Sequence, residues 1–421
     1  MDPTTILLFV AAAIASLFMA WVIGAGSSGA TPFAPAVGAD AIATMRAAFV
    51  VGILGFAGAV TQGGNVSAAV GRGLIGGVTL PVAGVIIVLL VGAGLMAVGI
   101  RTGYPIATAF TVTGSVIGVG LAIGGTPVPS TYLEIGAVWL LTPFVGGGIA
   151  FAIASVLPRS DVPESRSVPL LVGVVGAVLA NVGFAFLGPD DGSGSIAVAV
   201  AEALREWAGH GGPVSALGGG IPLPVGGGIP ITVAGITLPL GRAAVTVGIA
   251  LALAVLARWD VRRDQAGGLR RVLLALGALV AFSAGGSQVG LAVGPLVPLF
   301  DTVESVPSVA ILVGGGLGIL VGSWTGAPRM ISSLAQEYSS LGPRRSIAAL
   351  VPSFLIAQLA VLLGVPVSFN EIIVSAMVGS GAAVGGWDAI DPRKIGLTIL
   401  AWIASFAVAF LLGYGIALAA I

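Results

Sequence analysis

Part of this sequence occurs twice, at a spacing of 261 residues, which separates position 24 from 285 and position 103 from 364. The stretch from Gly24 to Ser28 is matched by one that begins at Gly285, and the stretch from Gly103 to Thr108 is matched by one that begins at Gly364. Two separate matches at one spacing predict two copies of a long unit with an insert between them. Duplicated apolar halves with Gly and Pro breaks at matching positions are typical of secondary transporters, and the breaks point to the substrate site.

The chain is too apolar to fold as a soluble globule. Of its residues, 57% are hydrophobic and 8% are charged, whereas a soluble domain carries about 25% charged residues. Continuous apolar runs of about 20 residues recur, long enough to cross a bilayer as helices. Because these runs do not alternate, a membrane β-barrel is excluded. The sequence therefore predicts an all-α polytopic membrane protein, and glycines at four-residue spacing, such as Gly314, Gly318 and Gly322, predict close helix packing.

About twelve transmembrane segments are predicted. They cover residues 5–23, 47–63, 78–100, 104–124, 134–157, 168–187, 243–257, 272–300, 308–323, 347–363, 367–386 and 395–420. Segments that begin at the duplicated motifs are alternatively re-entrant, since broken helices are tolerated where they line a cavity. Seven predicted crossings precede the span that begins at 272, so the two copies are expected to be inverted-topology repeats.

The predicted spans and loops divide the chain into five parts. They are a first transmembrane repeat (1–157), a connecting span (158–187), an extracytoplasmic Gly/Pro-rich loop (188–242), a span with a basic cytoplasmic loop (243–271) and a second transmembrane repeat (272–421). The stretch from Arg258 to Arg271 is the densest in basic residues and is therefore placed in the cytoplasm. The loop at 188–242, which has few Arg, is placed outside, either as a lid-like insert or as a linker.

The residue inventory limits the chemistry. Cysteine is absent and His210 is the single histidine, so neither a clustered metal site nor a cofactor is expected. Apart from Glu371, the membrane segments offer no catalytic acid–base cluster, so an enzyme is not expected. Lys394 is the only Lys among 17 basic residues. That Arg bias suggests a GC-rich prokaryotic genome, and hence a multi-pass protein of a prokaryotic plasma membrane.

The first motif pair combines Gly, Ser and a carboxamide within apolar segments. Such a stretch can unwind, and its free N–H groups then bind an anion while its C=O groups bind a cation. The alternative is that the hydroxyls bond to the backbone of a close-packed helix pair. The substrate-binding candidates in this pair are Ser27, Ser28, Thr31, Ser287 and Gln288.

The second motif pair places Pro105 and Pro366 where a helix is expected to start. Two half-helix N-termini that face each other at mid-membrane would form a positive pocket without Lys or Arg, which suits a small oxyanion. The binding candidates here are Thr108, Thr111, Ser368 and Asn370.

Glu371 is an acid in an apolar segment. Intramembrane carboxylates are costly and are functional by default, so Glu371 is the candidate for the coupling-ion site, as a proton carrier. The alternative is that it lies at a helix end in the headgroup region or caps a helix.

At these four motifs the chain resembles the inorganic phosphate transporter family of sodium– or proton–phosphate symporters. That family carries a Gly-Ala-Asn-Asp-Val-Ala-Asn-Ala type motif in each half and a later Gly-(Ile/Leu)-Pro-Val-Ser-Thr-Thr-His motif. Residues 282–296 follow the former through Gly-Pro-Leu, and residues 364–368 match the latter through its Ser. The resemblance implies a symporter that moves inorganic phosphate by alternating access, with sodium or protons as the coupling ion.

The chain also departs from the family pattern. Ser27 and Gln288 stand where the family has the Asp of each Asn-Asp pair, and residues 369–371 read Phe-Asn-Glu instead of Thr-Thr-His. A branch of the family that lacks the same acids is similar to a sulfate permease. Proton-coupled sulfate transport is therefore the alternative function, and an anion channel the third, although no charge rings are present. The expected partners are the anion and the lipid bilayer, not nucleic acid, and Gly-rich helix faces permit a homodimer.

Overall fold

The computed structural model describes residues 3–159, 163–187, 194–209, 230–233, 236–300, 307–337, 342–386 and 391–421. His210, the acidic residues at 190 and 191 and the Gly/Pro-rich stretch at 221–228 lie outside this part of the chain. Helices dominate it. They are α1 (Pro3–Gly26), α2 (Ala34–Gly38), α3 (Thr44–Gln62), α4 (Gly64–Arg72), α5 (Val82–Thr102), α6 (Thr108–Ala122), α7 (Pro129–Val156), α8 (Glu164–Asn181), α9 (Ile196–Gly209), α10 (Leu240–Arg263), α11 (Gln265–Val293), α12 (Val297–Phe300), α13 (Ser308–Thr325), α14 (Ala327–Glu337), α15 (Pro343–Leu363), α16 (Phe369–Gly385) and α17 (Pro392–Ala420).

The strands are short and form three antiparallel pairs. They are β1 (Ile75–Gly76) with β2 (Thr126–Pro127), β3 (Gly183–Phe184) with β4 (Gly194–Ser195), and β5 (Pro230–Val233) with β6 (Ile236–Pro239). Two 3₁₀ turns cover Ala185–Leu187 and Gly294–Leu296. Within the loop predicted at 188–242, the described residues thus include a helix, α9, and a strand pair.

Nine of the described helices are long and apolar enough to cross a membrane, which confirms an all-α polytopic membrane protein. The other three predicted spans overlap α6, α16 and α8. With 15 and 17 residues, α6 and α16 extend about 22 and 25 Å, less than the ~30 Å hydrocarbon core. The third, α8, ends at Asn181 rather than 187, because the chain then enters the strand Gly183–Phe184.

The chain divides into two compact units. Unit 1 comprises Met1–Arg159 and Arg270–Ile421, and unit 2 comprises Ser160–Leu269. In unit 2, α8 packs along α10. Asn181 links these two helices, since its amide donates to Thr246 Oγ1 at 2.9 Å and accepts from Arg242 Nε at 2.7 Å.

Contacts between the first and last parts of unit 1 come in reciprocal pairs. Helix α6 packs on α17, and α16, which follows the matching motif, packs on α7. A Cβ added at Gly24 would collide with the carbonyl of Ile319, and one added at Gly285 would collide with the carbonyl of Gly55. Positions 24 and 285 are 261 residues apart, and positions 55 and 319 are 264 apart. Matching positions therefore make matching close approaches in opposite directions.

The prediction that Gly/Ser stretches unwind holds in only one of the two copies. Helix α1 ends at Gly26 and turns follow, whereas α11 stays helical through Gly285 and onward to Val293. Proline explains the difference. Pro32 comes soon after Ser27 and cannot occupy a helix interior without losing a hydrogen bond and clashing. In the second copy the first proline is Pro295, and the helix gives way there to the 3₁₀ turn Gly294–Leu296.

Candidate functional site

A chain of hydrogen bonds joins three of the four motifs. Ser27 Oγ, just beyond the end of α1, donates to Gln288 Oε1 on α11 at 3.2 Å. Gln288 Nε2 donates in turn to the carbonyl oxygen of Val367, in the extended segment before α16, at 2.6 Å. Ser27 and Gln288 are both fully buried. The motifs that are far apart in sequence therefore meet in the interior of unit 1.

Asn370 connects the fourth motif to the same place. Its Nδ2 group donates to the carbonyl of Ile106 at 2.6 Å and to the carbonyl of Gly26 at 3.1 Å. Ile106 lies just before α6, and Gly26 is the last residue of α1. A single carboxamide on α16 thus holds the broken segments of the first copy against the second.

Buried polar atoms without a hydrogen-bond partner cluster at these motifs. Within the described residues they are Thr108 Oγ1, Thr113 Oγ1, Ser115 Oγ, Ser287 Oγ, Ser368 Oγ, Asn370 Oδ1 and Glu371 Oε2. Five of the seven belong to predicted site residues. A buried polar group without a partner is costly, and native proteins rarely leave one unpaired. Such a cluster marks a place where a polar ligand or water completes the structure.

The first N–H groups of α6 and α16 also need hydrogen-bond partners. At each helix the first N–H groups have no intrahelical acceptor. The residues before them, Ala107 and Ser368, provide no side-chain cap, and both are fully buried. An uncapped helix N-terminus carries partial positive charge and attracts anions. Both helix starts therefore offer donors of the kind that bind an oxyanion.

The prolines of the second motif pair lie outside the helices. Helices α5 and α15 are each followed by a glycine in the left-handed region, Gly103 at φ 80° and Gly364 at φ 67°. Extended residues follow, and α6 and α16 begin three residues after Pro105 and Pro366. The expectation that these prolines sit just inside a helix start is wrong, because the glycine turn leads into an extended segment first.

Two tryptophans hold these extended segments. Trp139 Nε1 on α7 donates to the carbonyl of Pro366 at 2.8 Å, and Trp402 Nε1 on α17 donates to the carbonyl of Pro105 at 2.7 Å. The Trp139 ring also stacks on Phe110 of α6, with the ring centroids 3.8 Å apart. Each indole comes from the opposite half of unit 1 to the segment that it binds.

Not every predicted site residue has an available polar group. Ser28 Oγ lies 3.5 Å from the carbonyl of Ile23, Thr31 Oγ1 donates to the carbonyl of Ser27 at 3.1 Å, and Thr111 Oγ1 donates to that of Thr108 at 2.8 Å. These three hydroxyls bond to nearby backbone, as the alternative interpretation of such residues predicted. They are buried close to the site without having a free polar atom.

The structure also groups three polar residues that are not among the predicted substrate-binding residues. Gln358 Nε2 donates to Ser283 Oγ at 2.6 Å and to Gln62 Oε1 at 3.3 Å, which forms a second buried polar cluster on α3, α11 and α15. The sequence prediction missed the paired tryptophans. Extending the repeat comparison would have found them, because Trp139 and Trp402 stand 263 residues apart, close to the spacing of the motifs.

The geometry can be compared with known proteins. The model of the Phosphate transporter family matches residues 23–413 of this chain. The chain belongs to this family. The resemblance inferred from the four motifs is thereby confirmed.

Relatives that match over almost the whole of this chain carry corresponding names. A Thermococcus kodakarensis protein named "Putative phosphate permease" is 24% identical over 436 residues, covering 98% of this chain and 96% of the relative. An Arabidopsis thaliana protein named "Inorganic phosphate transporter 2-1, chloroplastic" is 24% identical over 442 residues, covering 96% of this chain and 70% of the relative. A solved structure named "The sodium-dependent phosphate transporter" matches with a TM-score of 0.73 at 21% identity and covers 98% of both chains. The fold is therefore that of this solved transporter.

Proposed function

We propose that this protein is a secondary active transporter that moves inorganic phosphate by alternating access, coupled to a cation gradient, in a prokaryotic plasma membrane. Membership of the Phosphate transporter family supports phosphate as the substrate. Nine apolar helices support a multi-pass membrane location.

The observation that carries this proposal is the set of unpaired polar atoms on α6, on α11 and at the start of α16. Hydroxyls from Thr108, Ser287 and Ser368 can donate to phosphate oxygens, as can the uncapped helix N–H groups. These donors are neutral, so they can hold an anion without trapping it as a buried Arg or Lys would. Release into either compartment is part of alternating access.

The reciprocal contacts in unit 1 support two inverted-topology repeats. In a twofold arrangement, if residue i contacts j, then the counterpart of j contacts the counterpart of i. The bonds from Trp139 to Pro366 and from Trp402 to Pro105 follow this pattern. We place the repeat boundaries at 1–157 and 272–421. An odd number of crossings between the copies would set the twofold axis in the membrane plane.

Glu371 is the proposed coupling residue. It is 1% exposed and stands next to Asn370, which binds both broken segments of the first copy. A buried carboxylate needs a cation or a proton, so occupancy of the site by either would be linked to binding of the anion. The solved relative is described as sodium-dependent, which favours sodium, whereas the loss of carboxylates at 27 and 288 favours protons.

Proton-coupled sulfate transport is the second candidate. The observation that favours it is the Ser27–Gln288 pair, which puts two neutral side chains where the family motif has acids. Sulfate offers acceptor oxygens to the same hydroxyls and N–H groups.

Uptake of labelled phosphate and labelled sulfate into proteoliposomes tests the proposal. Each anion is supplied with a sodium gradient and, separately, with a proton gradient. We expect phosphate uptake that saturates, requires one of the gradients and shows counterflow. Flux that does not saturate and lacks counterflow would indicate a channel, and sulfate uptake without phosphate uptake would establish the second candidate.

A further inference from the structure

We propose that Asn370, with Glu371 beside it, selects an oxyanion that carries a proton. The site would accept hydrogen phosphate and arsenate ions and discriminate against tetrahedral dianions that have no proton, such as sulfate. This inference rests on the proposed oxyanion site and states which chemical form of the anion that site recognises.

The orientation of the Asn370 carboxamide is fixed by its surroundings. Both hydrogens of Nδ2 are used, one by the carbonyl of Ile106 at 2.6 Å and one by the carbonyl of Gly26 at 3.1 Å. A flipped amide would bring Oδ1 against two carbonyl oxygens, and the hydrogen-bond network therefore decides the assignment. The atom that remains available is the oxygen.

An amide oxygen accepts hydrogen bonds and cannot donate one. Asn370 Oδ1 is buried and has no donor within reach, although the hydroxyls of Thr108, Ser287 and Ser368 belong to the same motifs. Those hydroxyls can rotate to serve either an acceptor or a donor, but Oδ1 cannot. A ligand that brings a hydrogen-bond donor to Oδ1 would therefore complete this site.

Glu371 Oε2, on the neighbouring residue of α16, is also unpaired and is the group that would carry the coupling proton or cation. The uncapped N–H groups at the starts of α6 and α16 are donors that need acceptor oxygens. A protonated oxyanion satisfies both Asn370 Oδ1 and these N–H groups, because its O–H donates and its unprotonated oxygens accept. Sulfate satisfies only the N–H groups and leaves Oδ1 unpaired, and sites built to bond a hydroxyl reject analogues that lack it.

This inference is tested with pairs of ligands in which one carries a proton and the other does not. Purified protein in nanodiscs is titrated calorimetrically at neutral pH with phosphate, arsenate, sulfate and monofluorophosphate. The last is a phosphate analogue in which fluorine replaces the hydroxyl, so it is a dianion without a proton. We expect phosphate and arsenate to bind, and sulfate and monofluorophosphate to bind about 10- to 100-fold more weakly, because a buried acceptor is left unpaired.

A variant that lacks the Asn370 side-chain oxygen provides a second test. Asn370→Ala removes the Oδ1 acceptor, so the ratio of phosphate affinity to monofluorophosphate affinity should narrow at least several-fold. Asn181→Ala is the matched control, because Asn181 also bonds two neighbours but lies in unit 2, and it should leave the ratio unchanged. An unchanged ratio in Asn370→Ala would show that Oδ1 does not distinguish the two anions.

The opposing outcomes are distinct. Equal affinity for phosphate and monofluorophosphate would overturn the inference while leaving the transport proposal intact. Equal affinity for phosphate and sulfate, with sodium or without it, would overturn the inference in the same way. Absence of binding and of uptake for every oxyanion would remove the proposed function together with the inference.

Discussion

Ser27 and Gln288, at equivalent positions of the two motif copies 261 residues apart, are hydrogen-bonded to each other at 3.2 Å. If the two copies are related by the twofold axis that we propose, equivalent residues touch only where they meet this axis. The Ser27–Gln288 bond would then lie on it. It also holds two neutral side chains together at positions where the family motif carries acids.

Replacing Gln288 with Leu should impair phosphate uptake. The change removes the bond to Ser27 and leaves the carbonyl of Val367 unpaired, and an unpaired buried group costs about 1–3 kcal/mol. We expect uptake per molecule to fall about ten-fold or more. Ser16→Ala is the control, since Ser16 donates a buried bond of similar length to the carbonyl of Ala292 at 2.9 Å. Unchanged uptake in the Leu variant would contradict a role for the pair in the site.

Glu371→Gln should reduce gradient-driven uptake more than it reduces the amount of protein in the membrane. The glutamine retains the shape but cannot take up a proton or neutralise a cation. Uptake and membrane protein level are measured in parallel, with Glu134→Gln, at an exposed position on α7, as the control. Normal uptake at a normal protein level would refute the coupling role.

Loss of either indole hydrogen bond should slow transport. Trp402→Phe leaves the carbonyl of Pro105 without its donor, and Trp139→Phe does the same at Pro366. We expect each to lower the maximal uptake rate several-fold. Trp324→Phe is the matched control, because Trp324 donates to the carbonyl of Phe49 from an exposed position. If all three variants behave alike, the two bonds do not position the extended segments.

Two glycines on α13 should differ sharply in their tolerance of Ala. A Cβ at Gly322 would collide with the backbone of Trp21, whereas a Cβ at Gly314 would meet nothing within 4 Å. Overpacking costs about 1–3 kcal/mol. Gly322→Ala should therefore lower the melting temperature of the purified protein, and Gly314→Ala should leave it equal or raise it. Equal melting temperatures would mean that α1 and α13 are not held at this separation.

Much of the fold could be predicted from the sequence. The apolar runs located twelve of the described helices, because hydrocarbon requires continuous apolar segments whatever they pack against. The lengths of α6 and α16 could not be predicted from the apolar runs, because each run continues beyond the helix into extended residues. Gly314, Gly318 and Gly322 share a spacing, but only the last two approach α1. The spacing of glycines along a helix does not show which of them contacts a neighbouring helix.

The site was predicted in outline. Duplication pointed to four motifs, and these do meet in the structure at Ser27, Gln288, Val367 and Asn370. The sequence could not show which hydroxyls are available to a ligand, because nothing in it distinguishes Thr111 from Thr108. Only the backbone geometry shows that Thr111 bonds to a carbonyl while Thr108 does not.

We propose that the four motifs build one oxyanion site between the starts of α6 and α16. A structure of the protein with bound arsenate, whose arsenic is located by anomalous scattering, tests this site. We expect a single buried peak within hydrogen-bond distance of Ser287, Ser368 and Asn370. A peak confined to the protein surface, or none within the interior of unit 1, would show that the motifs do not form such a site.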